Sequence, residues 1–116
     1  MTISEETLNT IVILKFKGRL DASSAKAVKD KVGLLVKNGR PLLVFDMEAV
    51  DFIDSSGLGV LVASLRTVNK VEGDIKIASL QAQVRSIFEL TRMHRLFEIF
   101  DSSTAAAESY TEQTLD

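Results

Sequence analysis

Two adjacent serines in a glycine-rich stretch carry the most suggestive chemistry in this sequence. Ser55 and Ser56 lie in the run VDFIDSSGLGVL, between a strand-like apolar segment and a helix-like segment with an apolar stripe. A strand-to-helix corner exposes its side chains, and the unpaired N–H groups and positive dipole end of the helix favour an added anionic group. Gly57 and Gly59 leave these hydroxyls open to a large partner. The competing interpretation is structural, since Asp54 or Ser55 can simply cap the helix.

Catalysis by this serine pair is not indicated. A nucleophilic serine needs a base within hydrogen-bond reach, and the only histidine, His94, is distant in the sequence and has no supporting motif. A G-x-S-x-G elbow is absent, and GLG is too short for a nucleotide-binding loop. We therefore predict that the protein is not an enzyme and needs no cofactor. The hydroxyl is interpreted as an acceptor that another protein modifies.

Composition narrows the class of protein. The chain has 116 residues, of which 46% are hydrophobic, and this favours one domain over residues 1–116 with an ordered core at about 2–110 and a frayed tail at 111–116. A net charge of −2 with interspersed signs argues against nucleic-acid binding. Cysteine is absent and there is a single histidine, so we expect no metal site. The apolar runs are too short to span a membrane and the acidic start does not resemble a secretory signal, so we expect a cytoplasmic protein without membrane insertion.

The hydrophobic pattern predicts strands that alternate with helices. Predicted strands cover residues 2–7, 11–16, 42–47, 75–80 and 96–100, and predicted helices cover about 22–37, 55–71, 81–92 and a segment from 103 onward. The order β-β-α-β-α-β-α-β-α is typical of an α/β fold with a mainly parallel sheet. Functional loops in such folds lie beyond the carboxyl ends of the strands. We therefore expect the loop at Asp21 to meet the serine corner.

The helix after the serines has a predicted inner and a predicted outer face. Leucines and valines at helical spacing form the inner stripe, namely Leu58, Leu61, Val62, Leu65 and Val68. The opposite face then carries Val60, Ser64, Thr67 and Val71. Small apolar and polar side chains beside the serines favour a docking surface, although isolated exposed valines are also ordinary on protein surfaces.

Several blocks of this sequence resemble the STAS domain of bacterial anti-sigma factor antagonists. The blocks are GRLDASSAKAV, LLVFDM, DFIDSSGLGVLV and VRSIFELTRMHRLFEIFDS, and they cover residues 11–107 in the order found in that family. The resemblance implies a single STAS-like domain with a mainly parallel or mixed sheet of four to five strands and about four helices.

The same resemblance implies a partner-switching function. The unphosphorylated protein is expected to bind an anti-sigma factor that is also a serine-protein kinase of the histidine-kinase-like ATPase fold, and thereby to release a sigma factor. Phosphorylation is expected on Ser55, with Ser56 as the second candidate, and a PP2C-type phosphatase is expected to reverse it. The free protein is expected to be a monomer. The expected binding residues are Asp21, Asp54, Ser55, Ser56, Gly57, Leu58, Gly59, Val60, Ser64 and Thr67.

The sequence leaves two other functions of the protein open. Some members of the family control pathways other than transcription through the same partner switching. The alternative from a different class is a non-switching accessory subunit of a lipid or anion transporter.

Overall fold

Five strands form one mixed sheet, and four α-helices pack on its two faces in this computed structural model. The structure describes the backbone of residues 1–114 and the side chains of residues 1–111. In chain order the elements are β1 (Thr2–Leu8), β2 (Ile11–Leu20), α1 (Ala22–Lys37), β3 (Leu42–Ile53), α2 (Ser55–Asn69), β4 (Asp74–Ala78), α3 (Ala82–Leu90), a short 3-10 helix (Met93–Arg95), β5 (Ile99–Phe100) and α4 (Ser103–Thr114).

The strands lie in the sheet in the order in which they occur in the chain. β1 and β2 are antiparallel and are joined by a tight turn, where Asn9 adopts a left-handed conformation with a φ of 57°. The pairs β2–β3, β3–β4 and β4–β5 are parallel, as expected for strands joined by helical crossovers. The predicted α/β class and element order are confirmed.

The two faces of the sheet have separate cores, because successive residues of a strand point to opposite faces. In β2, Val12, Leu14 and Phe16 point to the larger core, which is covered by α1, α2 and α3. Ile11 and Ile13 point to the smaller core, which is covered by α4. The central strand β3 is buried on both faces, as its continuous apolar run predicted.

Three element boundaries differ from the prediction by three residues or more. β2 continues to Leu20 and β3 continues to Ile53, because the two strands keep pairing across register shifts between Lys15 and Lys17 and between Gly18 and Arg19. The last strand is limited to Ile99–Phe100, because the chain leaves a 3-10 helix at Arg95 and pairs with β4 only at these two residues. β2 and β3 therefore end directly before the two predicted functional loops.

The C-terminal helix α4 begins as predicted, with the Ser102 hydroxyl accepting a hydrogen bond from the Ala105 N–H at 3.1 Å. The helix continues to Thr114, which lies within the tail of residues 111–116 that was predicted to fray, and residues 115 and 116 lie outside the described residues. Within the described part of the chain, every helix is too short or too polar to cross a membrane.

Candidate functional site

The two predicted loops do meet at the carboxyl ends of β2 and β3. Leu20 pairs with Ile53 at the last position of the parallel ladder, so Asp21 and Asp54 follow at neighbouring positions. The Asp54 N–H also points to the Leu20 carbonyl oxygen at 3.4 Å. The parallel pairing thus brings the start of α1 and the start of α2 together.

Asp54 is the residue that caps α2. Its backbone is extended, with a φ of −122°, and its Oδ1 accepts a hydrogen bond from the Gly57 N–H at 3.0 Å. The Asp54 carbonyl accepts a further bond from the Leu58 N–H at 2.9 Å. Of the two capping residues considered from the sequence, Asp54 has this role, and Ser55 is left as the first residue of the helix.

The hydroxyls of Ser55 and Ser56 do not stabilise the fold through any described side-chain hydrogen bond. Both residues are exposed, and neither side chain makes a hydrogen bond with any other residue that the structure describes. Removing or modifying either hydroxyl breaks no described contact. The corner therefore presents two accessible hydroxyls at the start of α2.

Gly57 has a different role from the predicted one. It is buried, and a Cβ atom placed on it would lie 2.1 Å from the Leu20 carbonyl oxygen and 2.9 Å from Ile53 Cγ1. Gly57 thus allows α2 to approach the end of β2, and the expectation that it leaves space for a partner is wrong. Gly59 is exposed and a Cβ there would meet no atom within 4 Å, which is compatible with the open surface predicted.

Asp21 caps α1 in a reciprocal arrangement. Its Oδ1 accepts hydrogen bonds from the Ser23 N–H at 3.0 Å and the Ser23 hydroxyl at 2.6 Å, while the Asp21 N–H donates to the Ser24 hydroxyl oxygen at 3.0 Å. The Ser23 hydroxyl, together with the Arg19 guanidinium at 3.4 Å, holds the pKa of the Asp21 carboxyl below its usual range. Asp21 is therefore a charged, fixed carboxylate beside the serine corner.

Arg19 and Phe52 form a contact at this site that the sequence did not indicate. The Arg19 guanidinium carbon lies 3.7 Å from the centre of the Phe52 ring, which is a cation–π geometry, and the Arg19 side chain is exposed. The two residues are paired in the β2–β3 ladder beyond two register shifts. Finding the contact from sequence would have required the register of that ladder.

The predicted orientation of α2 is wrong for two residues. Val60 and Ser64, which were expected on the outer face, are only 7% and 3% exposed. The reason is that α2 packs against α1 as well as against the sheet, so its buried face is wider than one stripe. Thr67 is half-buried, and its hydroxyl donates to the Ala63 carbonyl at 3.0 Å. The exposed residues of α2 are Ser55, Ser56, Gly59, Ala63, Arg66 and Asn69.

The sequence profile described as the STAS domain matches residues 2–106. The chain belongs to the STAS domain family. In this STAS chain, the serine corner is the segment from Asp54 to Gly59 together with Asp21.

Relatives of this STAS chain include named regulators. The anti-sigma-B factor antagonist of Bacillus subtilis is 28% identical over 91 residues, which cover 78% of this chain and 83% of the relative. The crystal structure of an anti-sigma factor antagonist from Mycobacterium paratuberculosis is 25% identical, has a TM-score of 0.82, and covers 93% of this chain and 92% of its own.

A third STAS relative has been solved in two states. SpoIIAA of Bacillus shares 18% identity and the fold, with a TM-score of 0.73 in the unphosphorylated form and 0.74 in the phosphorylated form. These alignments cover 96% and 94% of this chain, and 98% and 99% of the SpoIIAA chains. The regulatory names of the relatives agree with the prediction that this STAS chain is not an enzyme.

No group of three or more His, Cys, Asp or Glu side chains in the part of the STAS chain that the structure describes is arranged to hold a metal ion. The carboxylates of Asp21 and Asp54 are instead occupied by helix N–H groups and hydroxyls.

Proposed function

We propose that this STAS protein is an anti-sigma factor antagonist controlled by reversible phosphorylation of Ser55. In its unphosphorylated form it binds an anti-sigma factor that is also a serine-protein kinase of the histidine-kinase-like ATPase fold, and so releases a sigma factor in the cytoplasm. The kinase inactivates it by phosphorylating Ser55, and a PP2C-type phosphatase restores it.

The observation that carries this proposal is the position of the Ser55 hydroxyl. Ser55 is exposed, makes no side-chain hydrogen bond within the described residues, and is the first residue of α2 directly after the cap. A kinase can therefore reach the hydroxyl without unfolding the chain. The helix start also favours an added phosphate, because its N–H groups and dipole attract negative charge.

The proposed docking surface surrounds this hydroxyl. It comprises the exposed or half-buried members of the predicted set, which are Asp21, Asp54, Ser55, Ser56, Leu58, Gly59 and Thr67. Val60 and Ser64 support the surface from beneath and do not contact the partner. Ala63 and Arg66 extend the surface along the exposed side of α2.

Phosphorylation at this surface can prevent partner binding without refolding the domain. Phosphate adds about −1.5 to −2 charges at pH 7. It would sit beside Asp54 and near Asp21, whose lowered pKa keeps it ionised. A partner that covers this corner must desolvate all three anionic groups, so binding weakens far more than folding does.

The test is phosphorylation by the cognate anti-sigma kinase with ATP, followed by mass spectrometry. We expect one phosphate per chain on the wild type and on Ser56→Ala, and none on Ser55→Ala, which should still bind the kinase. Phosphate on Ser55→Ala would assign the acceptor elsewhere. Failure of every cognate kinase to modify the wild type would reject the switch and favour the transporter-subunit alternative.

A further inference from the structure

A lysine is fully buried beneath the C-terminal helix α4. Lys76 lies in β4 between Ile75 and Ile77, which point to the larger core, so the Lys76 side chain points to the opposite face of the sheet, which α4 covers. It is 0% exposed, and it is the only lysine buried to this degree among the residues whose side chains the structure describes. A buried ammonium is costly unless polar groups surround it, so the position of Lys76 requires such partners.

The partners of this ammonium come from α4 and from the end of the sheet. On α4, the Ser109 hydroxyl oxygen accepts a hydrogen bond from Lys76 Nζ at 2.6 Å, and the centre of the Tyr110 ring lies 4.3 Å from Nζ. The Ser109 hydroxyl donates its own proton to the Ala106 carbonyl at 2.6 Å, which orients its oxygen as an acceptor. On the sheet, the half-exposed Glu98 carboxylate lies 3.5 Å from Nζ. The ammonium therefore obtains the hydroxyl and this ring only when α4 is docked.

The apolar contacts of α4 do not define its docked position sharply. Among its described residues, those buried in the smaller core are Ala106, Ala107 and Tyr110, while the preceding Ala105 is exposed. Three successive alanines present the same methyl group, so a helix rotated by one residue would bury Ala105 and Ala106 with nearly the same alanine contacts. The Tyr110 hydroxyl donates to the Leu43 carbonyl, but every residue of a strand has a carbonyl. A further contact is needed to select one position.

We propose that Lys76 determines the position in which α4 docks, by making every other docked position unfavourable. In the observed position the ammonium is hydrogen-bonded to Ser109. When α4 is detached, water reaches the ammonium beside Glu98. A helix docked one residue out of register would exclude water without supplying the hydroxyl, and an ammonium left in that state is strongly destabilising. α4 is therefore either docked as observed or detached. A buried polar group fixes the register of coiled coils in the same way, at some cost in stability.

The experiment compares amide NMR spectra and urea unfolding of the ¹⁵N-labelled full chain with those of Lys76→Met, which keeps an unbranched side chain and removes the charge. We expect the unfolding midpoint to stay the same or rise. The amides of residues 105–110, each with one sharp signal in the wild type, should become multiple or broadened. Lys31→Met is the matched control, because Lys31 is also ion-paired, with Glu5, but lies on α1, across the sheet from α4. Its α4 signals should remain single and sharp.

Ser109→Ala tests the same contact from the side of α4. It leaves the covered ammonium without its hydroxyl, so hydrogen exchange of amides 105–110 should accelerate by about tenfold or more while the amides of β3 are unaffected. In the Lys76→Met background the same change should have no effect. Single sharp α4 signals in Lys76→Met, failure of Lys76→Met to fold, or equal acceleration by Ser109→Ala with and without Lys76 would each overturn the proposal. None of these results depends on phosphorylation of Ser55.

Discussion

Gly57 and Gly59 lie two positions apart in α2, but the first is buried against β2 and the second is exposed. A Cβ at Gly57 would lie 2.1 Å from a backbone oxygen of β2, which cannot move without breaking the ladder, whereas a Cβ at Gly59 meets open space. The first glycine is thus required by packing. The second lowers the stability of the helix, since glycine in a helix interior is about 1 kcal/mol less favourable than alanine.

We predict opposite effects of alanine at these two positions. Gly57→Ala should destabilise the fold by about 3 kcal/mol or more, because either α2 or the end of β2 must shift. Gly59→Ala should stabilise it by about 0.5–1 kcal/mol. Urea unfolding of the two variants and the wild type measures both changes. A Gly57→Ala protein as stable as the wild type would show that the two elements are not in close contact.

At the scale of elements, the buried face of α2 determines stability, whereas its exposed face is available to bind a partner. Val60 is 7% exposed, whereas Ala63, on the same helix, is exposed and lies on the outer face. A charged side chain at position 60 must lose its hydration, whereas a charged side chain at position 63 remains in water.

We therefore predict that Val60→Glu unfolds the domain or destabilises it by several kcal/mol, since it buries an unpaired charge. Ala63→Glu should change stability by no more than about 0.5 kcal/mol but weaken binding of the proposed anti-sigma partner. Thermal unfolding and a binding titration on each variant provide the measurement. A stable Val60→Glu protein would restore the orientation first predicted from the sequence.

One buried hydroxyl contributes to the docking of α4 on the sheet. Tyr110, the sole tyrosine of the chain, donates to the Leu43 carbonyl at 2.8 Å, and its ring lies 4.3 Å from the Lys76 ammonium. Burial, with a smaller contribution from the nearby Asp74 carboxylate, raises the pKa of this phenol well above its usual range. The folded state therefore retains the phenolic proton at pH values where the unfolded chain releases it.

The pH dependence of Tyr110→Phe follows from this shift. Below a pH of about 10, the ordinary pKa of tyrosine, the variant should be less stable than the wild type by about 1 kcal/mol, the value of one hydrogen bond. Above that pH the tyrosine contribution is progressively lost, because only the unfolded wild type ionises, so the difference should narrow. Urea unfolding of both proteins from pH 8 to 11 tests it. A difference that widens with pH would contradict the assignment.

The order of the elements could be predicted from this sequence, whereas the orientation of α2 could not. Alternation and capping signals are local, so the presence of β2 and β3, and of a cap at either Asp54 or Ser55, follows from neighbouring residues. The burial of Val60 depends on the contact of α2 with α1, which no local pattern records. The Arg19–Phe52 contact and the close approach at Gly57 depend on the register of two strands far apart in the chain.

For the whole molecule, the exposed position of Ser55 predicts that phosphorylation leaves the fold unchanged. Amide NMR shifts should change only near residues 20–24 and 54–60, because β2 and β3 bring these two segments together. Large shifts throughout α1 or β4 would instead indicate a global rearrangement.

The sequential order of the strands has a consequence for synthesis on the ribosome. Each strand pairs only with strands adjacent to it in the sequence, so every new strand can join a partner that has already emerged. The sheet face formed by Ile11, Ile13 and Val44 has to wait longer for its packing partner. It packs against α4, which is translated after all five strands. A nascent chain arrested before α4 should therefore have a nearly complete sheet with one bare apolar side. Chaperone binding should be strongest at that length and fall once α4 has left the exit tunnel.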